Sequence, residues 1–342
     1  FFIMASIAFC IREDYLELFG GDSRVMLDLK DQAGRFFDRV SVNPVSFEDV
    51  DVAHVFNIQD PEIFLNFIHR IPESCKIVFS VTFWDSRFSK GYSYVYLQSA
   101  LKEVLANMGM PLIYRKIKDS LSKVDYFIFN SFAEAEGFYY AYCSFNLRRL
   151  SHIIPQYVDA NKYYVNKDYE NREFDLICVG RIEEGKRQNQ LIELVSKTNI
   201  KVMFVGKVYE NNDYSKSFMK SLEHNQNLKH VGFANSVELL DLYNNAKSHV
   251  LLSKRESPGL VNIEAALCGC NTIISSNGPI REYFSDYTYV WDDLEDSKGF
   301  TSLLKTIIDR PPKKEYRDYL LRMVSKDNLE TYLNIYKKCI EE

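Results

Sequence analysis

Residues 253–282 read SKRESPGLVNIEAALCGCNTIISSNGPIRE. Just before them, His249-Val250-Leu251-Leu252 is an apolar run that predicts a short buried strand. Ser257 suits a helix N-cap and Pro258 the first helical position. Gly259, Leu260, Val261, Ile263, Ala265, Ala266 and Leu267 continue as an apolar helix that Cys268-Gly269 ends. A second buried strand, Thr272–Ile274, follows at once. The unit is strand, loop, helix, strand, with Glu256 in the loop and Glu264 inside the helix.

A helix start offers N–H groups without intrahelical acceptors and a partial positive charge, which suits a phosphate. Glu256 would stand at the mouth of such a seat. Glu264, among apolar residues, needs a donor for its carboxylate, and a ribose diol would serve. Spacing alone fits a plainer reading at least as well, with Glu256 in a solvated loop and Glu264 on a polar helix face.

The wording carries more than the spacing. E-S-P-G-L-V-N-I-E followed by A-A-L-C-G-C-N-T-I-I-S-S-N-G-P-I-R-E resembles the Glu-x7-Glu signature of family-4 retaining glycosyltransferases, the glycosyl transferases group 1. That resemblance implies the α/β GT-B fold, two Rossmann-like doubly wound domains facing across a cleft. It implies that Glu256 contacts the donor sugar and Glu264 holds the nucleotide ribose. The backbone of Gly259, Leu260 and Val261 would receive the diphosphate. Pro258 stands where the family usually has Phe or Tyr.

Working back from the signature, Phe174–Arg181 reads as a strand closing on Gly180, and a helix starts at Gln188. Gly180-Arg181 with Lys186 resembles the family's G-R-x-x-x-x-K element, in which both cations reach the diphosphate. Val202–Gly206 and His230–Phe233 are further strands, and Val237–Tyr243 resembles the helix before the signature strand. The polar run Asn161–Glu173 reads as a linker between domains. Ile153–Asp159 before it resembles the family's P-x-G-V-D turn, with Tyr157 in place of Gly.

The first half alternates strand candidates, Phe2–Phe9, Val52–Phe56, Lys76–Val81 and Tyr126–Phe129, with helical patterns, which implies a parallel sheet covered on both faces. Ligands in such sheets sit beyond the carboxyl ends of the strands. Phe19-Gly20-Gly21-Asp22-Ser23 matches the family's glycine loop in position, although Gly20-Gly21 alone signals only a turn. His54, Trp84-Asp85, and Asn130-Ser131 with Glu134 resemble acceptor-side segments. A histidine at a strand end is commonly structural, so Trp84 and Asp85 are the stronger acceptor-side candidates. Pro111–Lys123 is an amphipathic basic helix, an ordinary sheet cover or a contact with an anionic membrane surface.

The 342 residues suit two domains, placed at 1–160 with a returning C-terminal helix 326–342, and at 174–325. A net charge of −5 gives no basic surplus for nucleic acid. Seven cysteines without a C-x-x-C pair read as reduced thiols of a cytoplasmic protein, peripheral at the inner face of a membrane if the acceptor is lipid-linked. FFIMASIAFC reads as a first strand and not as a signal peptide. No D-x-D-type pair is placed to hold a metal, and neither metal nor cofactor is expected.

The function expected is transfer of a sugar from a nucleotide-sugar donor to a hydroxyl of a glycan or lipid-linked glycan, probed first at Arg181, Lys186 and Glu256. No catalytic base stands out. The alternatives are a GT-B sugar-nucleotide epimerase, a phosphorylase, or a non-catalytic nucleotide-sugar-binding subunit. The intact set of Glu256, Glu264, Arg181 and Lys186 favours a transferase.

Overall fold

A computed structural model describes residues 3–17, 20–110, 113–208, 212–276 and 278–342. Phe2, Phe19 and Pro111, which open or border predicted segments, lie outside them. The chain divides into two compact units, Phe1–Tyr157 with Lys326–Glu342, and Val158–Ser325.

The first unit contains β1 (Ile3–Cys10), α1 (Gly21–Ala33), β2 (Phe37–Val42), β3 (Val52–Phe56), α2 (Pro61–Arg70) and β4 (Lys76–Ser80). It continues with α3 (Tyr92–Asn107), α4 (Ile113–Leu121), β5 (Tyr126–Phe129), α5 (Phe132–Tyr142) and β6 (Ser151–Ile153). The six strands form one parallel sheet in the order β2-β1-β3-β4-β5-β6. Its inner strands are mostly apolar because helices cover both faces. Alternate residues sort between the faces. Ala53, Val55, Phe79 and Phe127 pack with Phe64, Ile117 and Phe138 of α2, α4 and α5. Val52, Phe56, Val78 and Ile128 pack instead with Met26 of α1 and Leu333 and Tyr336 of the C-terminal helix.

The second unit contains β7 (Phe174–Val179), α6 (Gln188–Val195), β8 (Val202–Val205), α7 (Asp213–Glu223), β9 (Leu228–Val231), α8 (Ser236–Asn244) and β10 (Ala246–Leu251). After these come α9 (Leu260–Leu267), β11 (Asn271–Ile274), α10 (Ile280–Phe284), β12 (Tyr289–Val290), α11 (Ser297–Ile307) and α12 (Lys314–Met323). This sheet is also parallel, in the order β12-β11-β10-β7-β8-β9. The chain then returns to the first unit as α13 (Asp327–Glu341).

The polar run 161–173 is mostly exposed, but two of its residues anchor it to the second unit. Tyr163 is fully buried in the second unit's core. Arg172, also buried, donates to the carbonyls of Ala246 and Cys268 at 2.8 Å each. The segment is therefore packed onto the second unit, and the boundary between units falls at Tyr157/Val158. Three strands without a clear sequence signal, β2, β6 and β12, are an outer or short member of their sheet. An edge strand is covered less and needs fewer apolar residues, as FDRVSV in β2 illustrates.

Each sheet has one point where successive connections run off in opposite directions, and there the loops part and leave a crevice. In the first unit it lies between β1 and β3, in the second between β7 and β10. These are the places to look for chemistry.

Candidate functional site

At the second unit's switch point, the loop after β7 and the loop after β10 are tied together. Lys254 N–H donates to the Gly185 carbonyl at 2.8 Å, and Gln188 Nε2 to the Arg181 carbonyl at 2.8 Å. Lys186 closes the short helical turn Glu184–Lys186, and its Nζ lies 2.6 Å from Glu256 Oε1. Both side chains are largely buried, 22% and 11% exposed, so the pair is only partly screened by water. Two residues 70 positions apart, each marked out by its own motif, thus meet in one ion pair. Arg181 is turned toward Glu183 at 3.3 Å and is more open to solvent.

The loop after β10 departs from the expected helix start. Ser257–Pro258 is a cis peptide, and the N-cap is Gly259 and not Ser257. Gly259 has φ +83°, outside helical geometry, so α9 opens only at Leu260. A Cβ at Gly259 would stand 2.8 Å from Glu256 Oε2. Gly278 has φ +84°, and its Cβ would stand 2.1 Å from the Glu256 carbonyl oxygen. Glycine suits both places, Gly259 beside the Glu256 carboxylate and Gly278 against the Glu256 backbone carbonyl. Among the described residues the N-cap makes no side-chain hydrogen bond to the first turn of α9, whose first N–H groups belong to Leu260 and Val261.

Glu264 is fully buried, and its Oε2 accepts the Tyr243 hydroxyl at 3.1 Å. It is therefore on no solvated face. Burial and the nearby Glu264 charge push the Tyr243 phenol well above its ordinary range, so it remains a donor. Sequence reasoning passed over two neighbours. Asn262, fully buried, donates to the Pro258 carbonyl at 3.2 Å and fixes the loop to the helix. His249, buried on β10, has its ring pKa pushed down to about 3 by desolvation.

In the first unit the switch point carries a residue that no motif singled out. Arg12 follows β1 and reaches Asp22 Oδ2 at 3.1 Å, Asp14 Oδ1 at 2.9 Å and Ser23 Oγ at 3.0 Å. Burial by itself would raise the Asp22 carboxyl, but hydrogen bonds from Arg12 hold it below its ordinary range. Gly20 is the N-cap of α1, with extended backbone, and Gly21 its first residue. The glycine pair is thus a helix start beside Arg12.

Glu134 is buried and accepts from Phe83 N–H at 2.7 Å and Asn130 N–H at 2.5 Å, joining the segments that follow β4 and β5. Ser131 caps α5 through the Glu134 N–H at 3.0 Å. Asp85 caps the turn Ser86–Lys90 by accepting Arg87 N–H at 2.9 Å and also binds the Arg87 guanidinium. Trp84 Nε1 is buried and has no hydrogen-bond partner among the described residues.

His54, placed on the acceptor side by the resemblance, sits inside the first unit. It is fully buried, with Nδ1 at 2.5 Å from Tyr336 Oη of α13 and Nε2 at 2.8 Å from Ser80 Oγ. Desolvation pushes its pKa down to about 3. Folded His54 and His249 stay neutral, while in the unfolded chain both take up a proton below about pH 6.5. Stability contributed by the neutral rings is present above about pH 6.5 and is lost as pH falls toward about 3. At about pH 5.5 each ring is expected to cost on the order of 1 kcal/mol, read as a lower melting temperature than at about pH 7.5. His54→Phe should narrow that difference.

The basic helix α4 is a sheet cover. Tyr114, Ile117 and Leu121 are buried, Arg115 pairs with Asp119 at 3.0 Å, and Lys118 pairs with Glu103 at 2.5 Å.

Residues 165–320 match the family model of glycosyl transferases group 1. That match lies within the second unit, which is similar over most of its length to a glycosyl transferases group 1 domain. The whole chain is similar in fold to the sucrose-phosphate synthase of Thermosynechococcus elongatus, with TM-score 0.72, 13% identity, and 98% and 99% of the two chains covered. It is similar also to HepE of Anabaena, solved in complex with UDP and glucose, with TM-score 0.70, 14% identity, and 98% and 100% covered. A trehalose-6-phosphate structure from E. coli bound with UDP-2-fluoro glucose matches at TM-score 0.59 and 11% identity, over 84% and 73%. No curated protein sequence matches the chain. Two parallel six-stranded α/β units with these relatives are the GT-B fold, and the group 1 domain is the part that carries Arg181, Lys186, Glu256 and Glu264.

Proposed function

We propose that this glycosyltransferase is a retaining enzyme that moves a sugar from a nucleoside diphosphate sugar to a hydroxyl of a glycan or lipid-linked glycan. The observation that carries the reading is the Lys186–Glu256 pair, held at the switch point of the group 1 domain against the uncapped start of α9. Breaking the anomeric C–O bond leaves charge on the diphosphate. Lys186, Arg181 and the Leu260–Val261 N–H groups would stabilise that charge most in the transition state. Glu256 would face the sugar, and Glu264 the ribose. Acceptor attack from the face that the diphosphate leaves retains the anomeric configuration, with the leaving phosphate taking the acceptor proton. The acceptor side is assigned to Trp84 and Asp85, and the glycine pair Gly20-Gly21 to the donor phosphates. The reading needs no metal, so a chelator should leave turnover unchanged.

UDP is the first nucleotide to test, because HepE and the trehalose-6-phosphate structure were solved with UDP or a UDP-sugar. A ligand that binds the native state alone raises stability by RT ln(1 + [L]/Kd), about 2.7 kcal/mol at a hundredfold excess over Kd. A melting screen against UDP, GDP and ADP is expected to show one clear upward shift, with transfer from the matching sugar giving a product of unchanged anomeric configuration by NMR. An inverted product would end the retaining assignment, and no shift with any nucleotide would end the donor assignment.

A further inference from the structure

Helix α3 is amphipathic the wrong way round. Among its described residues only Val95 and Ser99 are buried. Its two charged residues point back to the protein: Glu103 accepts from Lys118 and Tyr114, and Lys102 lies over the Tyr114 ring. The solvent side instead carries Leu97, Leu101, Val104 and Met108 at 68%, 59%, 54% and 76% exposure. These recur at i+4, i+3 and i+4, a single stripe along the helix. Met110 and Ile113, each about half exposed, extend it past the helix end. None of the fully exposed positions of α3 bears a charge. Soluble surfaces scatter their apolar residues, so a continuous uncharged stripe marks a contact.

Charge around the stripe identifies the other side of that contact. Residues 86–123 hold seven Lys or Arg against two Asp or Glu, within a chain of net charge −5. Lys90, Arg115 and Lys116 are exposed along the rim. We propose that the outer face of α3, with this basic rim, rests on an anionic membrane surface. The stripe would enter the acyl boundary while the cations meet lipid phosphates, the arrangement of an interfacial helix. A second copy of the chain fits less well, because a two-fold contact through α3 would set two basic rims against each other. The apolar stripe lies on α3, because the main apolar face of α4 is used in the core, and α4 contributes Ile113 and the basic rim residues Arg115 and Lys116. It goes beyond the proposed reaction and can be tested without any sugar donor.

The full chain is floated with phosphatidylcholine vesicles, with and without phosphatidylglycerol, at low and high salt. Binding is expected only with phosphatidylglycerol and should fade with salt. The triple variant Leu101→Ser, Val104→Ser, Met108→Ser should bind about tenfold more weakly or worse, and so should Lys90→Glu with Lys116→Glu. Because these side chains are exposed, melting temperatures should match the parent, which separates lost docking from lost folding. Equal binding to both vesicle types, no binding to either, or unchanged binding in both variants overturns the proposal. A dimer in light scattering that the triple variant abolishes, without vesicle binding, reassigns the face to a second copy.

Discussion

Glu256→Gln is expected to lower kcat by about 10²–10³-fold, the usual cost of losing a charge stabiliser placed where charge develops. Lys186→Ala should fall by the same order, and Arg181→Ala too if its guanidinium swings from Glu183 to the diphosphate. The geometry adds something that motifs alone could not supply. Lys186 and Glu256 share an ion pair at 2.6 Å, so removing either strands the other in a partly dry site. The double variant Lys186→Ala, Glu256→Gln should therefore cost far less than the product of the two single effects. Steady-state kinetics on all four proteins gives the coupling directly. Additive losses would mean that the two act separately, and an unchanged rate in either single variant would return the pair to a structural role. Free nucleotide diphosphate should still bind Glu256→Gln with nearly parental affinity, because Glu256 is assigned to the sugar and not to the nucleotide.

The second unit was the more legible because its chemistry is written in short motifs tied to strand ends. The run His249–Leu252 overlaps β10, which starts earlier at Ala246, and the helix ending at Cys268-Gly269 and the strand Thr272–Ile274 end within a residue of where apolar patterning predicts them. What patterning could not give was the start of α9. Ser257 and Pro258 are a good N-cap and first helical residue by type, but the chain turns through both, and Gly259 at φ +83° opens the helix. Residue preferences are local, whereas this loop packs against Gly278 from further along the chain. Arg12 was missed for a related reason. A lone arginine after a strand carries no motif, and its meaning appears only when β1 and β3 bring it to a switch point beside Asp22. His54 shows the opposite case. The resemblance suggested chemistry where the strand-end position suggested structure, and Tyr336, far along the sequence, folds back and occupies one ring nitrogen. The exposed stripe on α3 was hidden because apolar periodicity normally predicts the buried face.

Glu264→Gln is expected to act on binding and not on the rate of the bound complex. If the ribose assignment is right, the carboxylate accepts charge-assisted hydrogen bonds from the ribose hydroxyls, each worth about 1.5–3 kcal/mol. Glutamine keeps the shape and one acceptor oxygen but removes the charge, so affinity for free nucleotide diphosphate should fall by about tenfold or more. The burial of Glu264 raises a competing account, in which the carboxylate serves the core through the Tyr243 hydroxyl. The two accounts part on a stability measurement. The amide oxygen introduced by Glu264→Gln can still accept from Tyr243, so that variant should melt near the parent. Glu264→Ala leaves the phenol without this acceptor and costs about 1–3 kcal/mol. Tyr243→Phe removes the same contact from the other side and leaves the charge in place. Calorimetry with nucleotide on all three variants then decides between the accounts. Loss of affinity in Glu264→Gln with intact melting and near-parental affinity in Tyr243→Phe assigns the carboxylate to the ribose. Equal affinity in all three, with melting lowered in Glu264→Ala and Tyr243→Phe, makes Glu264 a core residue and leaves the donor to Lys186, Arg181 and the start of α9.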